Sequence, residues 1–546
     1  MLDDLWYKNA VVYNLDVETF LDADGDGCGD FEGLMRRLDY LASLGVDVLW
    51  LAPFQPTPNR DNGYDVSDYY GVDPRFGSSG DFVEFLHRAR SRGIRVIVDL
   101  VVNHTSDRHP WFRSARNGPG SPHFDWYVWS ERRPSNWRAG TVFPGYQPST
   151  WSRDAQAKQW YFHRFYDFQP DLNMQNPAVR DEIRRIMGFW LELGVSGFRV
   201  DAVPFIIEEP PTGTGPPPLH FEYLEELRDF LQWRAGDAVL LGEANVLPKE
   251  TAPYFRDGDG IHLMFNFWVN QHLWYALASG DARPLAAALR DTRRLPPTCQ
   301  WAHFLRNHDE LDLGRLTEEQ RATVFARFAP DEGMRLYGRG IRRRLAPMLG
   351  DRALVELAYN VLLSLPGTPV LWYGDELGMG EDLRLPERAA VRTPMQWSAE
   401  AHGGFTDAEK PFRPVVSRGP YAYEHVNVEQ QRREPDSLLR WTTRMVRLRK
   451  ECPEIGWGAW RLLGTRNPSA LALRYDWHGD AIVVVHNFAA EATEVTIRTE
   501  AKPGEPLASL LDLEECAPAR NGTYRIPLDA HGSAWFRIGA LDYALG

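Results

Sequence analysis

GFRVDAV, residues 197–203, is a short apolar run that ends on an aspartate, Asp201. VLLGEAN (239–245) and FLRNHDE (304–310) repeat the device with Glu243 and Asp309. A carboxylate delivered at the end of each of several short strands is how a parallel barrel presents chemistry at its C-terminal face. Five further runs of the same kind lie outside these: VVYNLDV (11–17), VDVLWLAP (46–53), IRVIVDLVV (94–102), HLMFNF (262–267) and TPVLWYGDE (368–376). Helical periodicity fills the spaces, at about 31–44, 81–92, 177–193 and 220–233. The alternation predicts an α/β chain whose residues 1–103 and 171–452 form a (β/α)8 TIM barrel. Residues 104–170, rich in Pro, Trp, Ser and Arg, interrupt it after strand 3 and predict a small inserted subdomain B. The connection 377–435 is too long for a simple loop and is expected to cover the barrel mouth, before a last helix near 436–450. From Pro453 onward SALALRYDW, AIVVVHNF and TEVTIRT alternate between turns, predicting a C-terminal antiparallel β-sandwich domain over 453–546. PTGTGPPP (211–218) is read as a local loop.

At 546 residues the chain is long enough for two or three domains, and its 43% hydrophobic and 25% charged content is that of a globular protein. A formal net charge of −14 argues against a nucleic-acid partner, which needs a basic surface. No apolar run is long enough to cross a membrane, and MLDDLWYKNA lacks the basic and apolar regions of a secretory signal. Cys28, Cys299, Cys452 and Cys516 are scattered, which predicts reduced thiols in a cytoplasmic protein. Neither a zinc-ligand spacing nor a glycine-rich phosphate loop is present, so no organic cofactor is expected. A homo-oligomer is left open.

Paired carboxylates around a scissile bond, one nucleophile and one acid, are the working parts of glycoside cleavage. Arg199 lies two residues before Asp201 on the same strand, so both side chains point one way and the cation would keep the aspartate ionised. A second acidic group, DADGDGCGD (22–30), places carboxylates at alternate positions around Gly27. That is the oxygen-ligand pattern of a calcium loop, or else a solvated acidic turn. The twelfth position is Gly33 and not a glutamate, which excludes an EF-hand.

DLVVNH (99–104), GFRVDAV, GEAN (242–245) and RNHDE (306–310) follow in that order, with QPDLN (169–173) and PGTPVLWYGDE (366–376). The set resembles the α-amylase family of retaining glycoside hydrolases over the whole chain. The resemblance implies Asp201 as nucleophile, Glu243 as general acid and base, and Asp309 as the carboxylate that grips the sugar ring. It also implies substrate contacts from Tyr64 and Asp65 in NGYD, from His104, Arg199 and His308, and from Arg392 in VRTPMQW. It further implies a structural Ca2+, with Mg2+ the alternative ion, held by Asp22, Asp24, Asp26, the Cys28 carbonyl and Asp30, and a supporting role for Asn103. QPDLN is similar to the oligo-1,6-glucosidase-like branch. RNHDELDLGRLT (306–317), GRGIRRRLAPMLG (338–350) and VRTPMQW look most like trehalose synthases, which interconvert maltose and trehalose within a closed pocket. Ala202 resembles members that act on α-1,4 links. Arg342, Arg343 and Arg344 are candidates to close over the site, against the alternative of a solvated helix face. VVYNLDVETF departs from the His-containing strand of trehalose synthases. The rival expectation is an α-glucosidase or transglucosidase acting on maltose-type sugars, sucrose or a glucosylated metabolite. A non-catalytic scaffold does not fit three intact carboxylates.

Overall fold

A computed structural model describes residues 3–210, 216–500, 504–512, 515–517 and 522–539. Most of the expected 211–218 loop and the end of the chain lie outside the described residues. Eight strands close into a barrel: β1 (Val12–Leu15), β2 (Val48–Leu51), β3 (Arg95–Leu100), β4 (Gly197–Val200), β5 (Val239–Gly242), β6 (Leu263–Phe265), β7 (Gln300–Phe304) and β8 (Thr368–Trp372). All neighbours are parallel, from Val12 opposite Val48 round to Val370 opposite Val12. Seven of the strands fall within their predicted runs, whereas β7 starts earlier, at Gln300, and ends on Phe304, the first residue of FLRNHDE.

The near-continuous apolar character of these runs follows from burial on both faces. Successive side chains alternate, so Val48 and Trp50 of β2 point into the barrel with Val12, Ile97, Leu241, Phe265 and Phe304. Leu49 and Leu51 point outward into the layer packed against the helices. The strands are shorter than the runs because the backbone leaves the ladder where the carboxylates begin. Its last hydrogen bonds run from Asp201 N–H to Leu100 O (3.2 Å) and from Glu243 N–H to Val200 O (3.0 Å). Both acidic residues are therefore anchored by the ladder while their side chains face the mouth.

Three additions surround the barrel. Trp129–Ser130, Trp151–Arg153 and Trp160–Phe162 form a small antiparallel sheet in the insertion after β3. After β7 a second small sheet joins Leu311–Asp312, Arg335–Leu336 and Gly340–Ile341. The C-terminal region is antiparallel: a six-stranded sheet with a two-stranded sheet, Thr493–Arg498 and Thr523–Leu528, across its outer face. Val483 and Val485 meet Val495, Ile497 and Tyr524 in the core between them. The other face of the large sheet packs on the helix Arg352–Ser364, where Trp535 Nε1 donates to Asn360 Oδ1 at 3.1 Å. His486 and Ser364 hydrogen-bond there at 2.8 Å. Among the described residues no helix is long and apolar enough to cross a membrane, and the four cysteines are free thiols.

Gly197 starts β4 at φ +142°, and a Cβ there would lie 2.2 Å from Val239 O across the β4–β5 ladder. Gly197→Ala is expected to lose about 2 kcal/mol or more of stability in a urea titration. A midpoint unchanged from wild type would show that the ladder relaxes at that point.

Candidate active site

Arg199, on β4 and 1% exposed, is the centre of the site. Strand alternation sends its guanidinium to the same side as Asp201, and Nη1 lies 2.5 Å from Asp201 Oδ1 and 2.6 Å from Asp99 Oδ1. Nη2 lies 2.8 Å from Glu243 Oε2, which also accepts from the Ala202 N–H at 3.0 Å. Ala202 adopts φ +51°, the left-handed turn that ends β4 and brings its N–H to Glu243. Asp99 is held by Trp50 Nε1 as well, at 2.8 Å.

Burial raises all three carboxyls in this group, with Arg199 opposing. Asp201 and Asp99 are each pushed up to about 6. Glu243 is pushed up to about 7, with Asp201 and Asp309 adding to burial. Asp309 is different. Burial would raise it too, but facing charges hold it well below the usual carboxylate range. His308 is lowered to about 4 by burial and so is neutral near pH 7. The cations that matter there are Arg388 and Arg392, whose Nη atoms lie 3.0 and 3.1 Å from Asp309 Oδ1.

The cavity above these groups has a volume of about 330 Å3, and Asp201, Glu243, Asp309, Tyr64, His104 and Ala202 line it. Tyr64 donates to or accepts from His308 Nε2 at 2.8 Å, and His104 Nε2 meets Tyr64 O at 3.0 Å. His308, Arg392 and Arg199 stand one layer behind. Arg392 Nε donates to His308 O at 2.8 Å, so it sets the backbone that carries Asp309.

Asp65 corrects the sequence expectation. Its carboxylate is fully buried and accepts from Asp61 N–H (3.1 Å), Thr57 Oγ1 (2.9 Å) and Arg60 N–H (3.2 Å). It holds the 57–65 turn together and does not line the cavity. Asp61 does, in an ion pair of 2.6 Å with Arg388, and Gln169 Nε2 donates to its other oxygen at 2.9 Å. Asp61 was legible as the acid next to NGYD. Arg388 had no such signal, because it reaches the site from a 3-10 turn (Glu387–Val391) within the long connection after β8.

Three segments meet over the mouth. Phe143 from the insertion packs on Tyr166 (ring centroids 4.9 Å apart) and on Tyr337 from the β7 connection (4.9 Å). Both tyrosine hydroxyls donate to Glu387 Oε2, at 2.8 Å and 3.2 Å, and the Arg388 guanidinium lies 5.0 Å from the Phe143 ring centre. The run 342–344 is not a lid. Arg342 donates to Leu385 O and Glu387 O, Arg343 to Glu381 and Phe328 O, and the fully buried Arg344 to Tyr373 O and Asp375. These arginines fasten loops to each other beneath the mouth. On the far wall Asn245 Nδ2 donates to Asp312 Oδ2 at 2.8 Å, beside Glu310, Arg315 and Arg339.

In the acidic loop, carboxylate oxygens of Asp22, Asp24 and Asp30 lie within 4.8 Å of one another. Gly25 and Gly27 take φ of +82° and +94°, and a Cβ on Gly27 would meet Lys410 O at 2.6 Å. Asp26 stands outside the trio: its Oδ1 accepts the Cys28 N–H at 2.7 Å. Asp30 also caps the helix Phe31–Arg36 through Gly33 N–H. Three converging carboxylates with a tight glycine turn fit a hard divalent cation.

Residues 16–328 and 342–458 match the family model described as Alpha amylase, catalytic domain, and 479–537 match one described as Sucrose hydrolase-like, C-terminal domain. The trehalose synthase of Thermus thermophilus is 44% identical over 549 residues, covering 100% of this chain and 56% of the relative, which is therefore much the longer protein. The trehalose synthase of Pimelobacter sp. (strain R48) is 41% identical over 98% of this chain and 96% of its own. Among solved structures, the trehalulose synthase of Pseudomonas mesoacidophila MX-45 superposes with a TM-score of 0.75 at 26% identity, covering 98% of this chain and 99% of that one. The chain belongs to the α-amylase family.

Proposed function

We propose that this chain is a retaining α-glucosyl-transfer enzyme that interconverts maltose and trehalose through a covalent glucosyl–Asp201 intermediate. The observation that carries the reading is the pair Asp201 and Glu243 on one guanidinium, beneath a 330 Å3 cavity whose wall includes Phe143, the ring on which Tyr166 and Tyr337 pack. That volume is at the lower end for ligand pockets and suits a disaccharide, not a polymer. It accords with the trehalose synthases above.

In the first step an Asp201 carboxylate oxygen attacks the anomeric carbon while Glu243 gives its proton to the bridging oxygen. The glycosidic C–O bond breaks and an ester forms with inversion. In the second step Glu243, now a carboxylate, takes the proton of the 1-hydroxyl of the freed glucose. That oxygen attacks the same carbon, the ester breaks, and the second inversion yields the α,α-1,1 link. Asp309, ionised throughout, and Asp61 on Arg388 bind ring hydroxyls, and Asp309 tightens as the ring flattens toward an oxocarbenium ion. Tyr64 lays its ring against the sugar, with His104 as a further hydroxyl partner.

Asp22, Asp24 and Asp30 hold a structural divalent cation, Ca2+ or Mg2+, which ties the 22–30 loop together and supplies no chemistry to the reaction. The enzyme works in the cytoplasm, a reading supported by four unpaired thiols.

The nucleophile must be ionised and the acid protonated. Activity therefore rises as pH passes about 6, where Asp201 loses its proton, and falls as it passes about 7, where Glu243 loses its own. The expected kcat/KM profile is a narrow bell between apparent limbs near those values, and a profile flat from pH 5 to 9 would remove the assignment. In chromatography of products, maltose and trehalose are expected to interconvert with glucose a minor product, and Asp201→Ala to abolish turnover while remaining folded. Glucose as the main product from maltose would make the enzyme a hydrolase. Tyr337→Ala, which removes a ring packed behind the wall residue Phe143, is expected to raise the glucose share about tenfold, a shift of ~1.4 kcal/mol between water and sugar as acceptors. EDTA is expected to lower the melting temperature of the wild type, Ca2+ to restore it, and Asp24→Ala to respond to neither. A wild-type melting temperature that ignores EDTA would leave the loop a metal-free turn.

A further inference from the structure

A cleft of about 750 Å3 lies far round the barrel wall from the sugar cavity, where the last barrel helix (Leu438–Lys450) meets the helix Leu38–Leu44 and the C-terminal domain at Leu510 and Leu511. Arg432, Arg440, Arg444 and Arg447 line it, and Glu451 is the one carboxylate in its wall. The chain carries 75 acidic against 61 basic residues, and arginines elsewhere are mostly paired, as Arg433 is with Glu429. Among the described residues these four make no ion pair and no side-chain hydrogen bond. Their only interaction is that of Arg432, whose guanidinium lies 5.4 Å from the centre of the Tyr40 ring. Arg440, Arg444 and Arg447 follow at i, i+4 and i+7, one face of the helix over about 10 Å.

Four cations gathered on one side of an acidic protein repel one another, and the single carboxylate of the cleft wall, Glu451, cannot balance them all. Arginine forks match phosphate oxygens in bidentate geometry, and a row about 10 Å long spans more than one phosphate. Beside the row the wall is apolar: Leu44, Leu448 and the exposed Leu511. A cleft of this volume at a domain junction, half cationic and half apolar, has the build of a small-molecule site.

We propose that this cleft binds a nucleoside di- or triphosphate, the arginines taking the phosphates and the leucines the base. The site is separate from the glucosyl-transfer chemistry, and neither reading depends on the other.

The test is calorimetric titration of the full chain with ATP, ADP and inorganic tripolyphosphate at about 0.1 M salt, where surface attraction is already screened. Saturable one-to-one binding of ATP and ADP is expected, weaker by tenfold or more in Arg440→Glu/Arg444→Glu and unchanged in Arg290→Glu on a distant helix. Maltose turnover in the double variant reports that it is folded. Absence of nucleotide binding at millimolar concentration, or binding indifferent to the double substitution, overturns the proposal. Tripolyphosphate binding as tightly as ATP also overturns it, since the apolar wall would then contribute nothing.

Discussion

One buried guanidinium has to serve three carboxylates. Arg199, itself buried, touches Asp99, Asp201 and Glu243 at the floor of the cavity. A single positive charge cannot stabilise three negative ones at that depth, since each buried ion costs several kcal/mol unless compensated. The group therefore keeps protons into the neutral range, with carboxyls at about 6, 6 and 7. The highest belongs to Glu243, which touches Arg199 at one oxygen and also feels Asp201 and Asp309. Asp309 has the opposite arrangement, with Arg388 and Arg392 both on Oδ1. The distribution of arginines thus separates one carboxyl that keeps its proton to about 7, one that titrates near 6 and one permanent anion from three chemically similar side chains.

The strands and the loops divide the work. Asp201 and Glu243 are placed by ladder hydrogen bonds of a closed barrel, which fixes them without help from the mouth. Closure comes from irregular chain: the insertion, the β7 connection and the β8 connection converge on Glu387, which accepts from two tyrosines of different segments. A glucosyl ester can be intercepted by water or by the freed sugar, and about 1.4 kcal/mol separates a tenfold preference. Two hydrogen bonds and a small aromatic cluster are of the size needed to set that balance, so in the proposed reaction the loops would decide the acceptor and the barrel the bond cleavage.

This division also decides what could be read in advance. The eight strands were legible because doubly buried strands are continuous apolar runs, and Asp201, Glu243 and Asp309 because each follows such a run directly. The loops carry no such period. NGYD marked the right turn, but in it Asp65 folds inward to accept three donors and Asp61, four residues earlier, faces the cavity. Sequence spacing does not reveal which of two aspartates a turn consumes. Arg388 was invisible for a related reason, since its approach depends on the path of a connection with no regular structure. In the acidic loop alternation suggested five ligands, whereas the folded turn gathers three carboxylates and spends Asp26 on its own backbone.

The fate of Arg342, Arg343 and Arg344 shows how such loops become rigid. Irregular chain leaves backbone carbonyls without ladder partners, and buried carbonyls must be satisfied. Arginine offers five donors in a fixed fork, so one side chain can collect several carbonyls from distant segments. Arg342 takes Gly333, Leu385 and Glu387; Arg306 takes Arg343 and Asp309; Arg392 takes His308; Arg449 takes Gly367. Two of these, Arg306 and Arg392, hold the backbone that carries Asp309, and Arg342 holds the carbonyl of Glu387. A basic run that looks like a lid in the sequence is thus the fastening beneath one: it fixes the position of the carboxylate on which the mouth closes. By the same accounting Arg432, Arg440, Arg444 and Arg447 differ from these arginines, because among the described residues they collect neither carbonyls nor carboxylates although they line one cleft together.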